Sequence, residues 1–490
     1  MRESTTPSFC LTLKLLPNKD DKAELKKRFR VGAHLYNICV KEALKRLNKL
    51  LKDIEFQTLI KKTKKTDDDK KKLEALREKY DLVGRYSLES YLNRGRQKFE
   101  KHIDSDTCAK IAQTVWCSVE AFLFKNGEHV HFKRFNCFTS MECKTNKSGI
   151  LFRNGSVKWK ELSIPVRVKN KDFYAKQCIQ NNRVKYCRIK RRWHKHEWRY
   201  YVDLVMEGLP PMKERKIGKG RVGIDIGTST IAVVSEANMV FKELNDGIES
   251  IDAEIRRLNR QLDRQRRANN PNDYNPNGTI KRDTKTFHKV WKKSKRQRLT
   301  ENKIREHYAK RSAKLSQFQD DLANKIVAMG DEIIIETMNF HALQKRAKKT
   351  EKSKKTGRNK RKKRFGKSIS IHSPFSLIQK IKTRLAYHKG NLVEVDTYKM
   401  KASQANHITG EYMSSDLKNR WKELVPGTFV QRDLYSAFLL FNAKNKEEID
   451  FELCEQTFDN FFDGHNRLID ELRKQKKEGK CFLLAWVFNL

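Results

Sequence analysis

VGIDIGTST, residues 222–230, decides how the rest of the chain is read. Val222, Ile224 and Ile226 belong to an apolar run that reads as a buried strand, and Asp225 sits in the middle of it. Burying an unpaired carboxylate costs several kcal/mol or forces the group to neutralise. Either the acid has a permanent cationic partner, or the strand ends at a site where charge is wanted.

Two more acids stand at comparable places. Glu336 closes DEIIIE (331–336), a short buried strand, and Asp433 opens the helical RDLYSAFLLFNAKN (432–445). Around them runs an order of elements: VGIDIG, IAVVSE and MVFKEL as three successive strands, a helical hairpin, the strand ending in Glu336, and the helix FSLIQKIKTRLAYHKG. The strand LVEVD and the helix at Asp433 complete it. In the hairpin, Ile251, Ile255, Leu258 and Leu262 keep an a/d rhythm, NNPNDYNPNG makes the loop, and Ile304, Leu315, Leu322 and Ile326 return. This is the ribonuclease H-like layout, an α/β sheet whose acids gather at one edge. Phosphodiester hydrolysis there needs several carboxylates to hold a pair of divalent ions about 4 Å apart, so that one activates water and the other stabilises the leaving oxygen. Magnesium suits such oxygen ligands. Singly, Asp433 also reads as a helix-start acid favoured by the dipole, and Glu336 as the polar end of a strand. The ordered set of Asp225, Glu336 and Asp433 points to metal ligation and catalysis.

A competing reading takes VGIDIGTST as the first phosphate loop of the actin-like ATPases. Those proteins carry a second glycine-rich phosphate turn, whereas this chain has 21 glycines and no D-x-G-G-G-T-like stretch.

The chain has 490 residues, 38% hydrophobic, enough for two to four domains. Its 107 Lys and Arg against 60 Asp and Glu give a formal net charge of +47. Self-repulsion on that scale calls for a polyanion, and nucleic acid gains counterion entropy for each phosphate neutralised. Ten cysteines lie far apart with no C-x-x-C, which argues against a zinc ribbon and a disulfide framework and for reduced thiols in a cytosolic protein. The N-terminus lacks the apolar core of a signal peptide and CFLLAWVFNL (481–490) is too short for a bilayer, so the expectation is a soluble, cytoplasmic protein with no membrane partner.

Upstream, SFCLTLKLL (8–16) alternates like a half-buried strand, PNKDD stops it, and an amphipathic helix is expected from Asp21, with helical, Lys-rich sequence on to about residue 125. Between about 130 and 207, VHFKRF, ELSIPVRV, KYCRIKRRW and EWRYYVDLVM read as strands of a small barrel or sheet. EGLPPMKERKIGKG (207–220) is a linker. Residues 341–370 carry fourteen Lys or Arg against one acid and read as a flexible basic segment.

At this level of detail the sequence resembles the TnpB family of RNA-guided nucleases and its descendants, the compact type V CRISPR effectors. LTLKLLPNKDDKAELKKRFRVGAHLYNICVKEAL (11–44) is similar to the family's opening, with the pair Tyr36-Asn37. VGIDIGTST resembles the first RuvC motif and DLANKIVAMGDEIIIETMNF (321–340) the second, with Glu336-Thr337-Met338-Asn339 where E-D-L-N is usual. QRDLYSAFLLFN (431–442) resembles the third, with Tyr435-Ser436-Ala437 in place of N-A-A. The family often has a four-cysteine zinc ribbon before the third motif. Here residues 399–429 contain no cysteine, His407 alone cannot hold zinc, and packing around Trp421 is expected instead.

The resemblance implies a bilobed protein, α/β plus α and β modules. Its parts are a β-barrel wedge domain (1–30 and 126–213), a helical recognition lobe (31–125) and an RNase H-like RuvC nuclease (214–397, with a hairpin insert 246–330). A zinc-less target-binding insert (398–430) and the C-terminal part of RuvC (431–490) follow. It implies an RNA-guided DNA endonuclease with Asp225, Glu336 and Asp433 as ligands of two Mg2+ ions, and Arg432 orienting an acid or touching the backbone. Partners are a guide RNA and target double- and single-stranded DNA, with a homodimer on one guide RNA also open. Base pairing would read the target and side chains only a short flanking motif, in CRISPR-type antiviral defence or at a transposon. Lys345, Arg346, Arg361 and Lys362 of the basic segment, with Lys133 and Arg134 of VHFKRF, are the expected nucleic-acid contacts. A guided DNA-binding repressor without cleavage, and a guide-independent transposase or resolvase on the same fold, are the alternatives.

Overall fold

The computed structural model describes residues 7–62, 65–124, 127–194, 197–211, 217–244, 248–281, 291–345, 365–413 and 419–478. The chain divides into two units, residues 1–212 and 213–490.

In the first unit, β1 (Ser8–Leu15) buries Phe9, Leu11, Leu13 and Leu15 and leaves the residues between exposed or half-buried, the period of two that its sequence carries. Three residues past its end, Asn18 caps α1 (Lys19–Lys52): its side chain accepts from the Asp21 N–H while the Asp21 carboxylate accepts from the Asn18 N–H. That reciprocal box starts the helix two residues earlier than expected, because the cap satisfies amides that would otherwise be orphaned. Helices α2 (Ile54–Lys61), α3 (Asp67–Lys79), α4 (Tyr86–Arg96) and α5 (Ser105–Phe124) follow, packed through leucines such as Leu88 and Leu92 that are fully buried.

The rest of the unit is β2 (Ser140–Glu142), β3 (Ile150–Arg153), β4 (Ser156–Trp159), β5 (Leu162–Arg167), α6 (Phe173–Asn181), β6 (Val184–His194) and β7 (Glu197–Glu207). The strands form one antiparallel sheet, ordered β2-β6-β7-β1-β5-β4-β3. β3 also meets β6, so the sheet curls into a half-barrel.

VHFKRF is not a strand, contrary to its alternating pattern: residues 130–134 have no regular structure and a 3-10 turn follows at Phe135–Cys137. The reason lies in α1. Asn37 donates to the Lys133 carbonyl and accepts from the Lys133 N–H, both at 2.9 Å, and the Tyr36 hydroxyl donates to the His131 carbonyl at 3.3 Å. Side chains thus take the backbone groups that a ladder would need.

The second unit is built on β8 (Arg221–Ile226), β9 (Thr230–Ser235), β10 (Met239–Glu243), β11 (Glu332–Glu336) and β12 (Asn391–Val395), in the order β10-β9-β8-β11-β12. β8, β9 and β10 are a meander, and β11 and β12 join parallel to β8. Helices α7 (Glu249–Asn269) and α8 (Lys295–Val327) connect β10 to β11. Helices α9 (Phe340–Gln344), α10 (Gly366–His372) and α11 (Pro374–Tyr387) connect β11 to β12. After α12 (Thr397–Met400) comes a hairpin of β13 (Trp421–Val425) and β14 (Thr428–Gln431), then α13 (Arg432–Phe441) and α14 (Phe451–Lys477).

Both sheet faces are covered, which is why the strands read as unbroken apolar runs. Val222, Ile224, Ile333 and Ile335 pack with α8 and α11 on one face; Ala232, Val234, Ile334 and Val395 pack with α13 and α14 on the other. Among the described residues no helix is long and apolar enough to cross a membrane.

Candidate active site

Asp225 lies on β8, the middle strand, one residue from its end. β11 runs parallel beside it with Ile335 opposite Ile224, so the next rung sets Glu336 beside Asp225. Because side chains alternate along a strand, the two carboxylates leave the sheet on the same face, the one that carries α13. Parallel pairing of these two strands is what places both acids at one sheet edge.

Gly223 brings the third acid. It stands two residues before Asp225 on that face, and a Cβ there would run into the Ala437 carbonyl and the Phe441 amide of α13. With no side chain in between, helix backbone rests on strand backbone, the use of a strand glycine for close approach. Asp433, Ala437 and Phe441 are spaced by four and share one stripe of α13. A helical turn rises about 5.4 Å and two strand residues about 6.6 Å. Seating Ala437 and Phe441 over Gly223 therefore sets Asp433 over Asp225. The N-terminus of α13 is fixed by its cap: the Gln431 side chain accepts from the Leu434 N–H at 2.8 Å, and the Gln431 N–H donates to His465 Nε2 of α14 at 2.9 Å. That bond makes Nε2 the bare nitrogen, so Nδ1 carries the hydrogen and donates to Asn466 Oδ1 at 3.0 Å.

Asp225, Glu336 and Asp433 line one cavity of about 390 Å3, together with the 226–230 turn, Met338, Leu343, Phe365, Ser403, Gln404, Arg420 and Arg432. Burial pushes the pKa of Asp225 well above the usual carboxylate value, and repulsion by Asp433 and Glu336 pushes it further, against the pull of Arg432 and Arg420. Burial raises Glu336 from 4.5 to about 7. Two arginines face Asp433: Arg432 Nη2 at 3.5 Å and Arg420 Nη1 at 3.7 Å from Oδ1. Arg432 is itself held by the Asn419 carbonyl, which accepts from Nη1 at 3.2 Å.

Three carboxylates lining one cavity, two of them repelling Asp225, are the ligand chemistry of a hard divalent cation, which would relieve the repulsion. The donor set fits magnesium in kind. Among the described residues no group of three or more His, Cys, Asp or Glu side chains is arranged to hold an ion, and two arginines face Asp433.

No family model and no curated protein sequence matches the chain. Among solved structures it is similar to a Cas12f1–sgRNA–target DNA complex determined by cryo-EM, at 11% identity over 89% of this chain and 99% of that one, with a TM-score of 0.42. A CRISPR-Cas12f ternary complex matches at 12% identity over 87% and 83% of the two chains, with a TM-score of 0.27. Likenesses at these identities and scores carry no functional weight, and the site is read from its own geometry.

The other sequence-predicted contacts are spread out. Lys345 is exposed at the end of α9, just beyond Leu343 of the cavity wall. Arg346, Arg361 and Lys362 lie outside the described residues. Lys133, in the first unit, is half-buried with its ammonium 4.5 Å from the centre of the Tyr36 ring, and Arg134 beside it is exposed.

The insert ahead of α13 is fastened by packing. His407 is buried, its N–H donates to the Tyr435 hydroxyl at 3.1 Å, and its Nδ1 meets the same oxygen at 2.8 Å. Phe438 and Phe458 close around the imidazole, and burial lowers its pKa to about 4. Trp421 packs edge-on against His465, with the Arg473 guanidinium over its ring. Sequence reasoning missed Arg420 and His465, which carry no local pattern. It also passed over Gly223, which had a signal: a glycine inside an otherwise apolar strand.

Proposed function

We propose that this chain is an RNA-guided DNA endonuclease whose second unit is a RuvC-type, ribonuclease H-like core, with Asp225, Glu336 and Asp433 holding Mg2+, two ions per site. The observation that carries the catalytic part is the convergence of the three acids on one cavity, from two parallel strands and one helix start. The strand order, three strands of a meander with two parallel strands added beside the first, fits that core. Guidance by RNA and action on DNA rest on the ordered motifs and on the +47 charge.

Magnesium, when bound, supplies the Lewis acidity that phosphodiester hydrolysis needs. The chain supplies the rest. Asp225 and Glu336 stay close despite their repulsion because the β8–β11 ladder fixes their spacing, and α13 brings Asp433 onto them. Arg420 and Arg432, held at the same cavity, would offer fixed positive charge to a phosphate.

The test is to purify the protein, ask whether a discrete RNA comes with it, and add magnesium and matching DNA. Asp225→Ala is expected to abolish cleavage and leave ribonucleoprotein assembly intact; a variant that still cuts would overturn the assignment. A guided DNA-binding protein without cleavage is the second reading, favoured by the two arginines ranged on Asp433. It predicts RNA and DNA binding with no cutting at any magnesium concentration.

A further inference from the structure

Between β11 and β12 stands α10, seven residues that bury a single side chain, Ile369. A helix that short does not hold itself, because its first turn fixes more backbone than its hydrogen bonds return. It is held from outside, by α8. Gln319, buried in α8, donates from Nε2 to the His372 and Ser373 carbonyls, both at 3.1 Å, and accepts from Ser376 Oγ at 2.9 Å. Arg311 Nη2 donates to the Ile371 carbonyl at 2.8 Å, while its Nε donates to Asp252 of α7 at 2.7 Å. Ile371 and His372 end α10, where a helix leaves its carbonyls without partners of its own. Ser373, which separates α10 from α11, sits at φ 48° and ψ 53°. That left-handed conformation is costly for a residue with a side chain and persists only where the surroundings enforce it.

The parts of α10 fixed by this clamp face the carboxylates. Phe365, at the N-cap, lines their cavity and is 40% exposed. Ser368 Oγ donates to the Thr228 carbonyl at 3.0 Å, in the turn that follows Asp225 and lines the same cavity. With its one hydrogen given to Thr228, Oγ accepts from His372 Nδ1 at 3.1 Å, and Nδ1 also donates to the Ser368 carbonyl at 2.8 Å. We propose that Gln319 and Ser368 are positioning residues for this site: through α10 they set Phe365 and the Thr228 turn as the wall against which a polynucleotide chain is aligned for attack. This rests on the nuclease reading above. Asp225, Glu336 and Asp433 are placed by the β8–β11 ladder and by Gly223, so a disturbed wall misaligns the chain and leaves the metal ligands where they are.

The test compares wild type with Ser368→Ala, Ser368→Thr and Gln319→Met, the last keeping the volume of the side chain without its amide. Each full-length protein is purified with its RNA, and cleavage of matching DNA is followed under single-turnover conditions over a range of magnesium. Ser368→Ala is expected to lower the rate constant about fivefold, the size of one lost hydrogen bond, and Gln319→Met at least as much. The amplitude and the half-saturating magnesium concentration are expected to stay at wild-type values, and Ser368→Thr, which keeps the hydroxyl, to cut as wild type does. Amide exchange in chelator is expected to quicken by a similar factor at Gly227 and Leu244, whose N–H groups donate to the Thr230 and Ser229 carbonyls of the turn, with β8 and β11 unchanged. A fall in amplitude with an unchanged rate constant is what a merely structural role predicts. That result, or unchanged exchange at Gly227 and Leu244, overturns this inference and leaves the nuclease reading standing. A wild-type protein that does not cut overturns both.

Discussion

Glu336→Gln is expected to make the metal-free protein more stable at neutral and alkaline pH. Burial raises Glu336 from 4.5 to about 7. At about 1.4 kcal/mol per unit, that rise of about 2.5 units is on the order of 3 kcal/mol. The sign follows from an acid whose folded pKa lies above its unfolded one. Stability is fully present below pH 4.5, where both states are protonated, and is lost as pH rises through about 7, because only the unfolded state ionises freely. Glutamine keeps the shape of the side chain and has no charge to desolvate. The readout is amide protection of Val222–Ile226 and Ile333–Ile335 in chelator, corrected for intrinsic exchange, since these strands flank the acid and report on its own unit. Wild-type protection is expected to fall by about a hundredfold more than the variant's between pH 5 and pH 8, the equivalent of about 3 kcal/mol, the variant keeping the pH dependence that comes from buried Asp225. Added magnesium is expected to restore protection to the wild type at pH 8 and to do little for the variant. A Glu336→Gln protein no better protected than wild type at pH 8 would refute the reasoning, because the carboxylate would then carry no burial cost.

Gly223→Ala is expected to lower the thermal midpoint and to abolish cleavage, because its Cβ meets the backbone of α13 and lifts Asp433 away; overpacking of this kind costs about 1–3 kcal/mol. A variant that melts with wild type and still cuts would show that the helix does not rest on this residue. His465→Leu removes the acceptor of the Gln431 N–H and is expected to cost about 1–3 kcal/mol by chemical denaturation, with His465→Gln recovering part of it. Tyr435→Phe takes the hydroxyl from the His407 N–H and is expected to cost about 1 kcal/mol in the same assay. His407, lowered from 6.5 to about 4, gives stability that is present above pH 6.5 and lost as pH falls toward 4, so His407→Phe is expected to flatten the acid limb of a pH–stability profile.

The strands of the second unit were legible because the sheet is covered on both faces, and burial on both sides writes an unbroken apolar run in which a charged residue stands out. Asp225 and Glu336, at or next to the ends of such strands, could be picked out for that reason, and Asp433 as an acid at a helix start. VHFKRF shows the limit of the same reasoning. Its alternation is real, but whether its amides join a ladder depends on Asn37, 96 positions away from Lys133, and nothing within a short window encodes that contact.

The sequence by itself determined which segments are apolar and which acids are out of place. Tertiary structure alone decided that β11 pairs parallel with β8, that α13 lies on Gly223, and that Arg420 and His465 reach the start of α13. Periodicity and capping act between neighbours in the chain, whereas the meeting of three acids is set by sheet register and by close approach of backbone to backbone between residues more than a hundred positions apart.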